Sequence, residues 1–120
     1  MFHSLDILRM AQALATHAGT RQTAVAQNIA NADTPGYRSR DAVPFTDYME
    51  RMNASRQNGS PLRLESLMRP DANPVTRSPD GNTVSLEHEM MRGVEARHQH
   101  ELALGIYSSA RDLLRASIGR

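Results

Sequence analysis

Five histidines and 13 Asp and Glu residues carry most of the acid–base chemistry that this 120-residue chain could perform. The string His88-Glu89-Met90-Met91-Arg92 begins as a zincin H-E-x-x-H helix does. Arg92 stands where the second histidine ligand is required, so the string does not make a zinc site. His98 and His100 are two residues apart, which turns them roughly 200° from one another on a helix and denies them a shared metal. Cysteine is absent, which removes a thiol nucleophile, a disulfide framework and any Cys-based zinc site. Lysine is absent as well: all 14 basic residues are arginine, so neither a P-loop lysine nor a Schiff-base lysine exists. There is no G-x-G-x-x-G or G-x-S-x-G string, and no local elbow or acid partner turns the serines and histidines into a triad. The chemistry-bearing residues therefore argue against an enzyme. No catalytic, cofactor or metal site is expected.

Charge and apolar content narrow the remaining classes. The formal charge is +1. Residues 1–60 hold six Arg and five acids, and residues 61–120 hold eight of each. A nucleic-acid partner calls for positive charge gathered on one face, and this chain spreads it. Arg38 and Arg40, next to Asp41, read as a mixed-charge loop. Only 39% of residues are hydrophobic, the aromatics are two Phe and three Tyr, and much of the apolar content is alanine. At roughly 25 cal/mol per Å2 of buried apolar surface, alanine does little to offset chain entropy of ~1–2 kcal/mol per residue. The expected monomer is marginal, completed by neighbours. No run of 18 apolar residues exists for a membrane span, and the N-terminus shows no cleavable signal peptide.

The elements that must position these residues follow from punctuation. All six prolines lie between positions 35 and 79, and the flanks, roughly 4–32 and 84–118, have none. Proline interrupts helices, so the pattern predicts helix, irregular middle, helix. In the first flank Leu8, Ala11, Ala15, Ala18, Gln22, Val25 and Ile29 form a heptad-like stripe, with Ser4 as N-cap and a stop near Asn31–Asp33. In the last, Ser85 is the expected N-cap and Gly119 the stop. Its stripe runs through Met91, Val94, His98, Leu102, Gly105, Ser109, Leu113 and Ala116, with Met91, Leu102 and Leu113 eleven apart. Between the flanks, Asp41–Ser55 holds one short helix, and residues 53–83 read as a link or a segment ordered by partners. The fold class is all-α. Two long terminal helices form an antiparallel coiled-coil-like pair (1–33 and 84–120), joined by a Pro-rich irregular link (34–83).

One segment is far more specific than its composition. In Asn28-Ile29-Ala30-Asn31-Ala32-Asp33-Thr34-Pro35-Gly36-Tyr37-Arg38, a helix end passes into a turn whose Pro-Gly suits the centre of a type II turn. The string resembles the N-[IL]-A-N-x-x-T-P-G-[YF]-[KR] signature of the flagellar basal-body rod family. It matches at Asn28, Ile29, Ala30, Asn31, Thr34, Pro35, Gly36, Tyr37 and Arg38. Gly81-Asn82-Thr83-Val84-Ser85-Leu86-Glu87-His88-Glu89-Met90 and Leu114-Arg115-Ala116-Ser117-Ile118-Gly119 are similar to strings of a small proximal-rod member of that family. The family's common Tyr-Gln in the last helix is replaced here by His98-Gln99-His100-Glu101.

The resemblance implies a structural subunit whose terminal helices line a tubular axial assembly, polymerising helically as a hetero-oligomer and transmitting torque. Implied partners are other rod subunits, the FliE adaptor, the MS-ring protein FliF and the flagellar export gate, with no nucleic acid and no membrane span of its own. The implied location is the periplasmic rod of the bacterial basal body, reached through the flagellar type III apparatus without N-terminal cleavage. The Asn28–Arg38 turn should set how the first helix enters the link. Leu8, Ala11, Ala15, Val25 and Ile29 should face Met91, Val94, Leu102 and Leu113 or adjacent subunits. The competing class is a free-standing helical-hairpin export chaperone or adaptor, which predicts a stable soluble dimer.

Overall fold

The computed structural model describes residues 2–71, 74 and 76–119, and proline placement accounts for its element order. In chain order these are α1 (Phe2–Ala30), β1 (Arg40–Ala42), α2 (Phe45–Asn58), a 3-10 turn (Leu64–Leu67), β2 (Met68–Pro70) and α3 (Leu86–Ile118). The two proline-free flanks are α1 and α3. Helix α1 begins at Phe2, ahead of Ser4, so Ser4 is not its N-cap; the Ser4 side chain lies outside the described residues. At its other end the Asn31 N–H is shared between the carbonyls of Gln27 and Asn28, which tightens the last turn. Helix α3 starts as its sequence demands: the Ser85 hydroxyl accepts from the His88 N–H at 3.4 Å, and Glu87 and Glu89 sit in the first turn.

The middle departs from an all-α reading. Strands β1 and β2 pair antiparallel, Arg40 opposite Pro70 and Ala42 opposite Met68. Three residues are too few to show a period of two, so neither strand is visible as a pattern. Pro70, which lacks an N–H, sits at the end of the ribbon. The short helix runs over Phe45–Asn58 instead of Asp41–Ser55, because Pro44 occupies the N-cap and Gly59, at φ +69°, closes the far end. The link also folds back on the chain. Leu67 joins Val43 and Tyr48 in a small buried cluster, flanked by Met52 and Leu62.

The long helices run antiparallel. Arg21 reaches Glu95 and Gln99, Gln99 donates to the Leu14 carbonyl, and a Cβ placed on Gly93 would lie 3.7 Å from Val25. Their seam is built from alanine: Ala11 and Ala18 on α1, and Ala96, Ala103 and Ala110 at heptad spacing on α3, all buried. Leu8 and Ala15 are half-buried beside it, Val25 is buried, and Ile29 is exposed. Met91, Val94, Leu102 and Leu113 do not enter the seam. They are 53–69% exposed, and Met91 and Leu102 lie about 120–140° round the helix from Ala96. The reason is steric: small side chains admit the close approach of two helices, and the bulkier ones then face away.

Helix α2 packs on the opposite side of α1. The His17 ring meets Phe45 and Tyr48 edge-on at centroid distances of 5.5 and 5.2 Å, and the Tyr48 hydroxyl donates to Thr16. His17 Nε2 donates to the Val43 carbonyl at 2.7 Å, while Nδ1 accepts from Gln99 at 2.8 Å. The Gln99 amide is oriented independently, its oxygen taking an Arg21 N–H and its nitrogen serving Leu14. That pattern fixes the neutral imidazole, and burial lowers the His17 pKa, aided by Arg21 and opposed by the Val43 carbonyl. The molecule is a slab of α2, α1 and α3 measuring 64 × 32 × 19 Å. Its radius of gyration is 17.4 Å, against about 14 Å for a compact domain of this length.

Eight of the 14 buried apolar side chains among the described residues are alanine, which keeps the buried area small. The alanine seam yields a direct contrast. Ala103→Leu should overpack the helix pair and cost about 1–3 kcal/mol. Leu102→Ala, its exposed neighbour, should stay within about 0.5 kcal/mol of the parent. Urea unfolding followed by far-UV circular dichroism checks both; equal costs would contradict the assignment of the seam.

Candidate functional site at the helix junction

The Thr34-Pro35-Gly36-Tyr37 tetrapeptide has the signature of a type II turn. Tyr37 N–H donates to the Thr34 carbonyl at 3.2 Å, Pro35 holds the second position, and Gly36 stands at φ +76°. A side chain at Gly36 would strain that left-handed backbone. The turn reverses the chain directly beyond α1, so residues 37–40 run back beside the helix end.

The reversed strand is received by a side chain. Asn28, fully buried, donates from its amide to the Arg40 carbonyl at 2.8 Å and accepts the Arg40 N–H at 3.0 Å. The same oxygen accepts from the Tyr37 hydroxyl at 2.9 Å. One primary amide thus satisfies both backbone groups of Arg40, as a neighbouring strand would. Burial raises the Tyr37 pKa, keeping that hydroxyl a donor.

A second asparagine clasps the turn from the far end of the sequence. Asn82, 2% exposed, donates to the carbonyls of Asn31 at 2.9 Å and Thr34 at 2.8 Å, and accepts the Val84 N–H. Gly36 N–H donates to the Asp80 carbonyl, Thr83 N–H to the Tyr37 carbonyl, and Ser39 N–H to the Thr83 hydroxyl. Gly81 comes so close to Gly36 that a Cβ on it would lie 3.5 Å from the Gly36 Cα. The 28–38 and 81–90 strings, far apart in sequence, are therefore one hydrogen-bonded junction.

Charge finishes it. Arg92 forms a two-pronged pair with Asp71 at 2.7 and 2.9 Å, and Ser39 donates to the same carboxylate. Burial alone would raise the Asp71 pKa, but the Arg92 and Ser39 hydrogen bonds outweigh it and hold the carboxyl below its usual value. The pair is mostly enclosed, so removing one partner would strand a buried charge, typically at a cost of about 3–5 kcal/mol. Burial likewise opposes the Arg92 charge, and Asp71, Asp41 and Glu89 overcome it, raising the pKa. Asp41 also lies 3.7 Å from Arg21, which extends the network to Glu95 on α3. Glu89, 1% exposed, gives Oε1 to Arg92 at 3.3 Å while its Oε2 lacks a hydrogen bond. Its burial pushes the carboxyl pKa up, against the opposing pull of the Asn28 amide and the Arg92 guanidinium.

The structure distributes the string residues unevenly. Asn28, Asn31 and Tyr37 point inward at the junction; Pro35 and Gly36 form the exposed turn; Ile29, Ala30, Thr34 and Arg38 are exposed. Spacing alone singles out none of Ser39, Asp71, Asn82 and Thr83, and it brings up Arg92 only as the residue that spoils a zinc string. Asn82 and Thr83 stood in a quoted string, but nothing in the sequence paired them with residues 31–39. The arrangement positions backbone and neutralises charge. Among the described residues, no three His, Asp or Glu side chains gather as a metal would need, and no helix is long and apolar enough to cross a membrane.

Glu89 makes the junction pH-dependent. Its folded pKa is raised, so the native state favours the protonated form. The contribution is full below about 4.5 and is lost as pH rises through the folded value. Glu89→Gln should remove that loss, so its thermal midpoint should gain on the parent as pH rises from about 4.5 and hold that gain once the folded carboxyl has ionised. A gap independent of pH would contradict the buried, strained carboxylate.

Comparison with known proteins converges on these same strings. A family model described as "Flagella basal body rod protein" matches residues 10–38, α1 together with the turn. The chain is 32% identical to the "Flagellar basal body rod protein FlgB" of Escherichia coli (strain K12), over 90% of each chain. It is 37% identical to the protein of that name from Cereibacter sphaeroides, over 71% of this chain and 73% of the relative. The FlgB of Agrobacterium fabrum is 28% identical over 97% of this chain and 95% of its own. Shared identity along nearly the whole length, with the turn and both long helices included, means that the chain belongs to the FlgB family of flagellar basal body rod proteins.

Proposed function

We propose that this chain is a structural subunit of the proximal flagellar rod, polymerising helically with other rod proteins to connect the MS ring to the drive shaft and transmit torque. The observation that carries this reading is where the apolar side chains stand. Ten of the 15 exposed large hydrophobics among the described residues lie on α3, while α3 turns alanine toward its own chain. A monomer has no use for such an apolar set on one exposed helix; a subunit packed on neighbours does. Met91, Val94, Leu102 and Leu113 belong to it, and Ile29 is exposed at the end of α1.

In this reading residues 1–33 and 84–120 form the axial core, and the junction sets the angle between that core and the link. The FliE adaptor, the MS-ring protein FliF, the export gate and other rod subunits are the neighbours. Export proceeds through the flagellar type III apparatus without cleavage. The small apolar core favours it, because the chain is cheap to hold unfolded before passage. The free-standing chaperone or adaptor is disfavoured by the FlgB relatives.

The test is complementation of a strain lacking its own FlgB-type subunit. The parent chain should restore swimming in soft agar, and Pro35→Ala combined with Gly36→Ala should not. The double replacement forces a left-handed position onto alanine, costing about 1–2 kcal/mol at the turn, and loosens the helix exit. Full motility of the double variant would contradict the role given to the turn.

A further inference from the structure

Two apolar surfaces stand open at different places on the molecule. One is the straight line Met91–Leu102–Leu113 on α3, bordered on one flank by Glu87, Glu101 and Asp112, all exposed. The other is a groove of about 550 Å3 between the N-terminal half of α1 and α2. Its floor and walls carry Met10, Ala13, Met49 and Met52, with Arg9 and Asp6 on one wall and Arg56 on the other, so the arginines outnumber the one acid. Ala11 faces α3 and Ala13 faces the groove, about 200° apart round α1, so the groove opens away from α3.

We propose that the groove receives the α3 line of a second copy of this chain, a contact that rests on the subunit reading above and specifies one of its interfaces. Three observations converge on that occupant. The line follows an 11-residue spacing, so it stays on one side of a straight helix and can lie along a groove. Methionines line the groove, and their flexible thioethers adapt to a side chain such as Leu or Met. The charges are complementary: Arg9 and Arg56 rim the groove, and acids border the line. The acids' present partners offer little competition, since Glu101 pairs with Arg97 only on the open surface, at 3.3 Å. Because the two faces differ, each copy offers a groove at one place and a line at another. Such a head-to-tail contact leaves a free groove at one end of a pair and a free line at the other, so further copies can add.

The chain has no cysteine, so introduced thiols report without background. Met10→Cys and Leu102→Cys alter exposed side chains and leave the alanine seam untouched. Basal bodies from cells co-expressing the two single variants are oxidised and run without reductant. A mixed disulfide dimer is expected, and a ladder of multimers when one chain carries both thiols. Arg56→Glu should lower the mixed product about fivefold, and Glu101→Arg on the partner copy should restore it. Leu102→Cys dimers with no mixed product would overturn the proposal, because the line would then pair with itself. Basal bodies that contain both variants yet give no cross-link would overturn it as well. Incorporation is read separately by immunoblot, so an incorporated but uncross-linked chain refutes this contact and leaves the rod-subunit reading standing.

Discussion

The primary amide of Asn28, bonded to both backbone groups of Arg40, is the constraint on which the rest of the chain depends. A buried peptide group without a partner costs about 1–3 kcal/mol, and among the described residues the two-stranded ribbon has no third strand to meet the backbone groups of Arg40 on the edge turned away from β2. Asn28 stands in for that strand. It holds the reversed chain against α1, which places Ser39 to bind Asp71 and Thr83, and Tyr37 to receive the Thr83 N–H. Asn82 then ties the start of α3 to the end of α1. The junction is directional in a way that a packed apolar core is not, because hydrogen bonds fix angles where alanines merely permit proximity. That matters in a chain whose only compact apolar cluster is Val43, Tyr48 and Leu67 among its described residues.

Arginine usage shows the same economy. Arg92 grips Asp71 with two nitrogens while lying near Asp41 and Glu89, and Arg21 spans Asp41, Glu95 and Gln99. A planar guanidinium can serve several acceptors at once, and a lysine ammonium cannot match both carboxylate oxygens in one plane. A chain with arginine alone can therefore link α1, the ribbon and α3 electrostatically with only two side chains. The first and last helices are thus joined by bonds that resist rotation as well as separation.

Much of this was legible in the sequence, and the omissions have physical causes. Prolines marked where α1 gives way to the link, Ser85 and Gly119 marked the limits of α3, and Pro35-Gly36 marked the turn, because each acts on the backbone beside it. The seam was not legible. A search for strong apolar periodicity finds Met91, Leu102 and Leu113, and in a subunit that packs on neighbours such residues are free to serve surfaces outside the chain. The intramolecular face is written in Ala96, Ala103 and Ala110, which carry little hydrophobic signal. Strands of three residues have no period to detect. The Asp71–Arg92 pair spans 21 positions across an irregular link, and no local rule connects its members. Asn28 and Asn82 stood inside the recognised strings, yet their partners are backbone groups, which leave no mark on residue type.

The claim that a polar junction, more than the apolar seam, organises this chain is tested most directly by native-state amide hydrogen exchange on the intact protein. The account predicts that the amides of Gly36, Arg40 and Thr83 open only with global unfolding, among the slowest in the molecule. Amides in the last turns of α3, beyond Leu113, should exchange orders of magnitude faster. Fast exchange at Arg40 and Thr83 beside a uniformly protected α3 would contradict it, and would assign the organising role to the alanine seam.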